Sequence, residues 1–301
     1  MKNILFYTHP QWVFGKVHTD LSRLLLPEFK CDVMDWALPL PPYAADIIRE
    51  KYDLIVTTPE GVCTLTSYGM QPEEILAIAH SDWDLFYPMT KMGRAPDFYD
   101  RLRGFAVICP FLQQLCFTYG ISRVPRITPI GVFSADYKRQ PSTKVETIGY
   151  FGKVARHGQA NVDIKRGWLV ERVAKEAGVT AFIENSLPFN LTEGLYRRAD
   201  VVMFCSLIEG NPYVALESFA AGVPVLGTGT GIFPELAATG GGGILPFDED
   251  DFVSQAVEVL NAMRADHRIY ELMSEAALEA VKPYDWHALK PTWVDFLHTL
   301  T

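Results

Sequence analysis

The sequence predicts an α/β chain made of two doubly wound, Rossmann-like domains. Three observations carry that expectation. Short apolar, β-branched runs alternate with helical patterns through most of the chain, which is the signature of parallel strands joined by crossover helices. The alternation breaks once, at Ser134-Ala-Asp-Tyr-Lys-Arg-Gln-Pro-Ser-Thr143, where turn formers and charge replace periodicity. Strand-like runs then resume on the far side, so two units of similar size would face one another across a cleft.

In the first half, strands are expected at residues 4–8, 31–34, 54–57, 75–79 and 106–109. Helices are expected at 17–26, 44–50 and 112–119, the last closed by Gly120. The second series places strands at 147–151, 181–184, 201–204, 223–226 and 243–245. The last third is helical, over 251–264 and 269–281, with a break at Pro283 and a final stretch from Trp286 to Leu300. These elements set the expected domains at 1–140 and 141–285, followed by a terminal segment at 286–301.

Composition removes several classes. The 301 residues are 49 % apolar, ordinary for a folded globular chain. No apolar run reaches the roughly 20 residues that a spanning helix needs. The first residues form a strand without the zones of a signal peptide. The five cysteines, Cys31, Cys63, Cys109, Cys116 and Cys205, are odd in number and lack metal-ligand spacing. Reduced thiols in a cytoplasmic protein are the expected state. The net charge of −9 is uneven, because the acidity lies in the second half and residues 85–139 carry an excess of Lys and Arg. Such a window suits an anionic acceptor, DNA or a lipid-linked saccharide.

The most informative stretch is Glu209-Gly-Asn-Pro-Tyr-Val-Ala-Leu-Glu217. Two carboxylates bracket a helix start in which Asn211 is the expected N-cap and Pro212 the first helical residue. The preceding run, Val201 to Phe204, reads as a buried strand, which puts the acids where a parallel sheet binds ligands. The helix should end at Gly222. Its N-terminus suits a phosphate or a ring of sugar hydroxyls, and the acids suit neutral hydroxyls.

The segment from Phe204 to Leu236 resembles the nucleotide-sugar-binding signature of family 4 glycosyltransferases. That resemblance implies a retaining, metal-independent enzyme of the two-domain B fold (GT-B), with the last helix returning to the first domain. Its co-substrate would be a nucleoside-diphosphate sugar, with no other cofactor. The resemblance implies that Glu217 binds ribose hydroxyls and that Glu209, with the backbone of Gly210, Asn211 and Pro212, binds the donor sugar. Lys153, with Lys165 or Arg166, would hold the diphosphate. His80 would act near the transferred sugar, and Gly15 would let the donor approach the first-domain backbone. Trp12 and Phe14 are expected in the core.

Two look-alike patterns carry less. Asp82-Trp83-Asp84 spells a metal-binding Asp-x-Asp, but it lies outside the nucleotide-binding half and reads as a loop beside His80. Gly227-Thr-Gly-Thr-Gly231 lacks the spacing of a dinucleotide fingerprint, with Ile232 where the last Gly should be. It reads instead as a loop that lets backbone approach a sugar or phosphate. The acceptor is expected to be a saccharide, a glycolipid precursor or a hydroxymethylated DNA base. A sugar-nucleotide epimerase and a catalytically silent nucleotide-sugar or nucleic-acid binding module are the alternatives.

Overall fold

The computed structural model describes residues 1–10, 12–137, 142–152, 164–184 and 194–301. The chain divides into two compact units, one formed by Met1–Gly131 with Trp286–Thr301 and the other by Val132–Asp285.

Unit 1 runs β1 (Lys2–Thr8), α1 (Val13–Leu24), β2 (Phe29–Asp35), α2 (Ala44–Lys51), β3 (Leu54–Thr57), α3 (Pro59–Ser67), β4 (Ile75–Ala79), α4 (Asp82–Thr90), β5 (Gly104–Val107), α5 (Pro110–Thr118) and β6 (Arg126–Ile127). Its strands pair in parallel in the order β2-β1-β3-β4-β5-β6. Ile4 aligns with both Cys31 and Leu54. Strands β3, β4 and β5 are buried along their whole length, as expected of a sheet covered by helices on both faces.

Unit 2 runs β7 (Thr147–Phe151), α6 (Trp168–Ala177), β8 (Thr180–Glu184), β9 (Val201–Phe204), α7 (Tyr213–Ala220), β10 (Val225–Thr228), α8 (Phe233–Leu236), β11 (Gly242–Leu245), α9 (Glu249–Ala265) and α10 (His267–Ala280). Its parallel sheet has the order β11-β10-β9-β7-β8. On one face Leu169, Val170 and Val173 of α6 and Phe252, Val253, Ala256 and Leu260 of α9 join Ile148, Met203 and Leu226 in a single core. The helical spacing of these residues builds that apolar stripe.

The final helix, α11 (Trp286–His298), belongs to unit 1. Trp286 and Trp293 are fully buried. The Trp293 indole donates to the Pro129 carbonyl at 2.9 Å, and Lys290 donates to the Leu26 carbonyl at 2.8 Å.

The structure corrects several sequence expectations. Helix α1 begins at Val13, four residues before the expected start. Helices α3 and α4 were not anticipated, although both carry start signals. Thr58 accepts from the Gly61 N–H with Pro59 at the first position, and Ser81 with Asp84 forms a capping box. Both helices are short, and Pro88 interrupts α4, so periodicity is weak. Asp82 and Asp84 therefore lie in a first helical turn, not in a loop. Strand β10 starts at Val225 because Pro224 has no N–H to give. Trp12 is 48 % exposed, whereas Phe14 is buried as expected.

Trp293→Ala should cost roughly 3–5 kcal/mol through the cavity and the lost indole bond. Urea unfolding of the full chain measures it; a loss below about 1 kcal/mol would show that α11 contributes little to unit 1.

Candidate active site

Polar groups of unit 2 collect at the carboxyl ends of β9 and β10, where parallel sheets open to ligands. After β9 the chain continues through Cys205 and Ser206 to Glu209. The Ser206 hydroxyl donates to Glu209 Oε1 at 2.6 Å, and Lys165 Nζ ion-pairs with the same oxygen. Thr228, at the end of β10, donates to the Ser206 carbonyl at 2.5 Å. Gly231 has φ +56°, and a Cβ there would lie 2.2 Å from the Gly210 carbonyl oxygen. The Gly-rich loop is thus seated on the Glu209–Gly210 backbone, which only glycine permits.

Two buried oxygens beside this contact, Asn211 Oδ1 and Thr230 Oγ1, have no hydrogen-bond partner among the described residues. A buried unpaired polar group costs roughly 1–3 kcal/mol, so a ligand hydroxyl reaching either oxygen would relieve that cost. Asn211 caps no helix. The N-cap of α7 is Pro212, whose ψ of 87° keeps it outside the helix while its carbonyl accepts the Ala215 N–H at 2.7 Å. The predicted helix start is thereby displaced by one residue. The helix closes as expected, with Gly222 at φ +66°.

Lys165 and Arg166 are adjacent but differently engaged. Arg166 is buried, with Nε donating to the Cys205 carbonyl at 2.8 Å and Nη1 to the Phe247 carbonyl at 2.6 Å. Its backbone is left-handed, with φ +46°. Gly167 follows, packed so closely on Tyr150 that a Cβ would lie 2.7 Å from the ring. The Arg166 Nη2 is buried without a hydrogen-bond partner among the described residues. Lys165, with its side chain 42 % exposed, is the cation this segment presents. Lys153 lies outside the described residues.

Glu217, one helical turn into α7, is 3 % exposed. The Tyr137 hydroxyl donates to its Oε1 and the Tyr196 hydroxyl to its Oε2, each at 2.6 Å. Sequence reasoning missed both tyrosines, as well as Ser206 and Thr230. Ser206 and Thr230 lie in loops flanking the recognised motif, whereas nothing local marks the tyrosines.

In unit 1, Gly15 sits in the first turn of α1, where a Cβ would lie 2.2 Å from the His9 carbonyl oxygen. The close approach it permits is that of its own loop. His80 follows β4 and is packed against His18 and Phe14, with ring centroids 5.3 and 5.9 Å away. The ring nitrogens of His18 and His80 are buried without a partner among the described residues. Burial holds both imidazoles neutral, with the His80 pKa lowered to about 3 and that of His18 well below its usual value, the latter also through His80. Asp84 accepts from the His80 and Ser81 N–H groups at 2.8 and 2.9 Å. Burial raises its pKa to about 7, against those hydrogen bonds.

Residues 157–262 match the family model for glycosyl transferases group 1. The structure is similar to sucrose-phosphate synthase from Thermosynechococcus elongatus, with a TM-score of 0.71, 14 % identity and coverage of 100 % of this chain and 99 % of that one. It is also similar to HepE of Anabaena in complex with UDP and glucose, with a TM-score of 0.72, 14 % identity and coverage of 99 % and 100 %. A third likeness is to the lipopolysaccharide outer core galactosyltransferase WaaB, with a TM-score of 0.61, 13 % identity and coverage of 99 % and 100 %. No curated protein matches significantly by sequence. The two parallel-sheet α/β units have the GT-B architecture of these structures, and the glycosyl transferases group 1 match lies within the second unit.

The buried groups set the acid response. The two histidines have folded pKa values below the unfolded value near 6.5, so their stabilising contribution is present above that pH and is lost as pH falls. Asp84 is opposite in sign, because its raised pKa makes its contribution fall between about pH 4 and 7 as pH rises. Two imidazoles outweigh one carboxyl, so stability should fall on acidification from pH 6.5 to 4.5 by on the order of 1 kcal/mol per pH unit. Urea unfolding across that range should show the slope, and His80→Gln should nearly abolish it; an unchanged slope in the variant would contradict the assignment.

Proposed function

We propose that the protein is a retaining, metal-independent glycosyltransferase that moves a sugar from a nucleoside-diphosphate sugar to an acceptor hydroxyl. The observation that carries the reading is the Lys165–Glu209–Ser206 cluster at the carboxyl end of β9, beside the unpaired oxygens of Asn211 and Thr230. A carboxylate with a cation at its side suits a ligand that brings neutral hydroxyls and an anionic diphosphate together.

In this reading Glu209 and the backbone of Gly210, Asn211 and Pro212 bind the donor sugar. Lys165 turns from Glu209 to the diphosphate, aided by Lys153. Glu217 accepts from the ribose hydroxyls. As the glycosidic bond to phosphate lengthens, negative charge grows on the leaving diphosphate, and fixed cations and N–H dipoles stabilise it most there. That supply of positive charge is why the reading requires no metal. Attack from the face the diphosphate leaves retains the anomeric configuration. His80, neutral in its aromatic surroundings, serves the acceptor half of the reaction as a hydrogen-bond partner for a hydroxyl. Arg166 supports the site by holding the backbone.

UDP-glucose is the first donor to try, a choice supported by the likeness to HepE structures in complex with UDP and glucose and with UDP-glucose. A saccharide or glycolipid acceptor is proposed ahead of a hydroxymethylated base, since the chain's net charge of −9 opposes approach to DNA. Glu209→Gln and Lys165→Ala should each lower turnover ~10-fold or more with little change in melting temperature. Arg166→Ala should instead lower the melting temperature, because two buried carbonyls lose their donor. Transfer followed by NMR of the anomeric proton gives rate and stereochemistry together; full turnover in the Glu209 and Lys165 variants would overturn the site, and an inverted product would overturn retention.

A further inference from the structure

We propose that the carboxyl ends of β1, β2 and β3 in unit 1 form the acceptor site, and that it takes a neutral pyranose stacked on the Trp12 indole with a hydroxyl donated to the Glu60 carboxylate. The inference rests on the transferase reading above and adds to it an acceptor class and two residues.

Topology selects the place. In the order β2-β1-β3-β4 the winding of the chain reverses between β1 and β3, and an open parallel sheet binds ligands at the carboxyl ends of the strands where this happens. His9 and Trp12 follow β1, Trp36 follows β2, and Glu60 lies in the first turn of α3, just after β3. The His9 ring stacks on Trp12 with centroids 5.5 Å apart and meets Trp36 edge-on at 5.9 Å. Phe14, which also packs on His80, lies 5.5 Å from Trp12 and 5.3 Å from Trp36. A Cβ on Gly61 would lie 3.1 Å from the Trp36 ring, so the start of α3 is packed against this aromatic group. Glu60 is half-buried. Burial raises its pKa, and the neighbouring His9 acts in the opposite direction.

These features together suit a sugar. Trp12 is held in advance, because its N–H donates to the His9 carbonyl at 3.1 Å and its own carbonyl accepts from the Gly15 N–H at 2.9 Å. Although His9 stacks against it, the residue stays 48 % exposed. The negative face of an indole attracts the weakly positive C–H groups on the apolar face of a pyranose. The Glu60 side chain makes no hydrogen bond or ion pair among the described residues. A carboxylate can only accept, so the hydroxyl edge of the same neutral ring matches it. A polyanion would be repelled by Glu60, and an acyl chain would desolvate it without a donor.

Saturation-transfer NMR on the full chain, with titration for affinity, tests the assignment. The probes are methyl β-D-glucopyranoside, methyl β-D-galactopyranoside and methyl α-D-mannopyranoside, each beside its uronate counterpart, and 5-hydroxymethyl-2′-deoxycytidine. At least one neutral glycoside should bind wild type through its ring C–H protons and severalfold more tightly than its uronate. Trp12→Ala should weaken that glycoside about tenfold, the scale of a lost stacking contact, and Trp12→Phe should recover part of the loss. Glu60→Gln should shrink the preference for the neutral sugar over its uronate severalfold, since the opposing charge is gone; it serves independently should Trp12→Ala fail to fold, as judged by its melting transition. Binding of the nucleoside alone, of no glycoside at all, or equally by wild type and the Trp12→Ala and Glu60→Gln variants would overturn the proposal. Calorimetric titration of UDP into the same samples should give affinities within about twofold of one another, as expected for independent sites. Loss of UDP binding in wild type would instead remove the donor reading and leave the glycoside result standing.

Discussion

The constraint on which the proposed site depends is the clasp made by Arg166. Its guanidinium reaches the carbonyls of Cys205 and Phe247, tying the start of α6 to the loop after β9 and to the loop after β11. The clasp is adopted at a left-handed backbone, of a kind that costs a non-glycine residue of order 1–3 kcal/mol, and it is followed by a glycine pressed onto Tyr150. Such a conformation persists because its surroundings over-determine it. One result is that the neighbouring Lys165 is directed at Glu209. A cation and a carboxylate are thus held at the end of β9 by hydrogen bonds that a ligand need not disturb.

Each unit leaves buried polar groups unsatisfied among the described residues. Asn211 Oδ1 and Thr230 Oγ1 in unit 2, and the imidazoles of His18 and His80 in unit 1, are buried without partners among the described residues. Folding bears this cost through extensive cores, such as the α6 and α9 layer over β7, β9 and β10. The same low-dielectric surroundings that make an unpaired group costly also make a hydrogen bond to ligand stronger. Glu217 is the counterexample, a buried carboxylate already paired with Tyr137 and Tyr196, so its role differs from that of the half-exposed pair at Glu209.

The strands were largely legible in the sequence because fully buried parallel strands read as continuous apolar runs. Residues 54–57, 75–79, 147–151 and 201–204 coincide with β3, β4, β7 and β9. Short helices were less visible, since α3 and α4 have only 9 residues each and carry little periodicity; their caps at Thr58 and Ser81 were the usable signal. For the candidate site, the stretch from Glu209 to Glu217 showed where to look. The sequence could not tell Lys165 from Arg166. Which of two adjacent cations faces inward depends on backbone angles and on carbonyls 39 and 81 residues away. Long-range contact hid Tyr137 in the same way, 80 residues from its partner Glu217 and in a segment that read as a linker.

The central claim is that the lysine–glutamate pair at the end of β9 is where a nucleoside-diphosphate sugar is held. The most direct measurement is calorimetric titration of UDP-glucose into wild type and into Lys165→Ala at two salt concentrations. The account predicts saturable one-to-one binding to wild type that weakens with salt, and at least tenfold weaker, less salt-sensitive binding to a variant that melts at the wild-type temperature. Equal binding by the two proteins would contradict it.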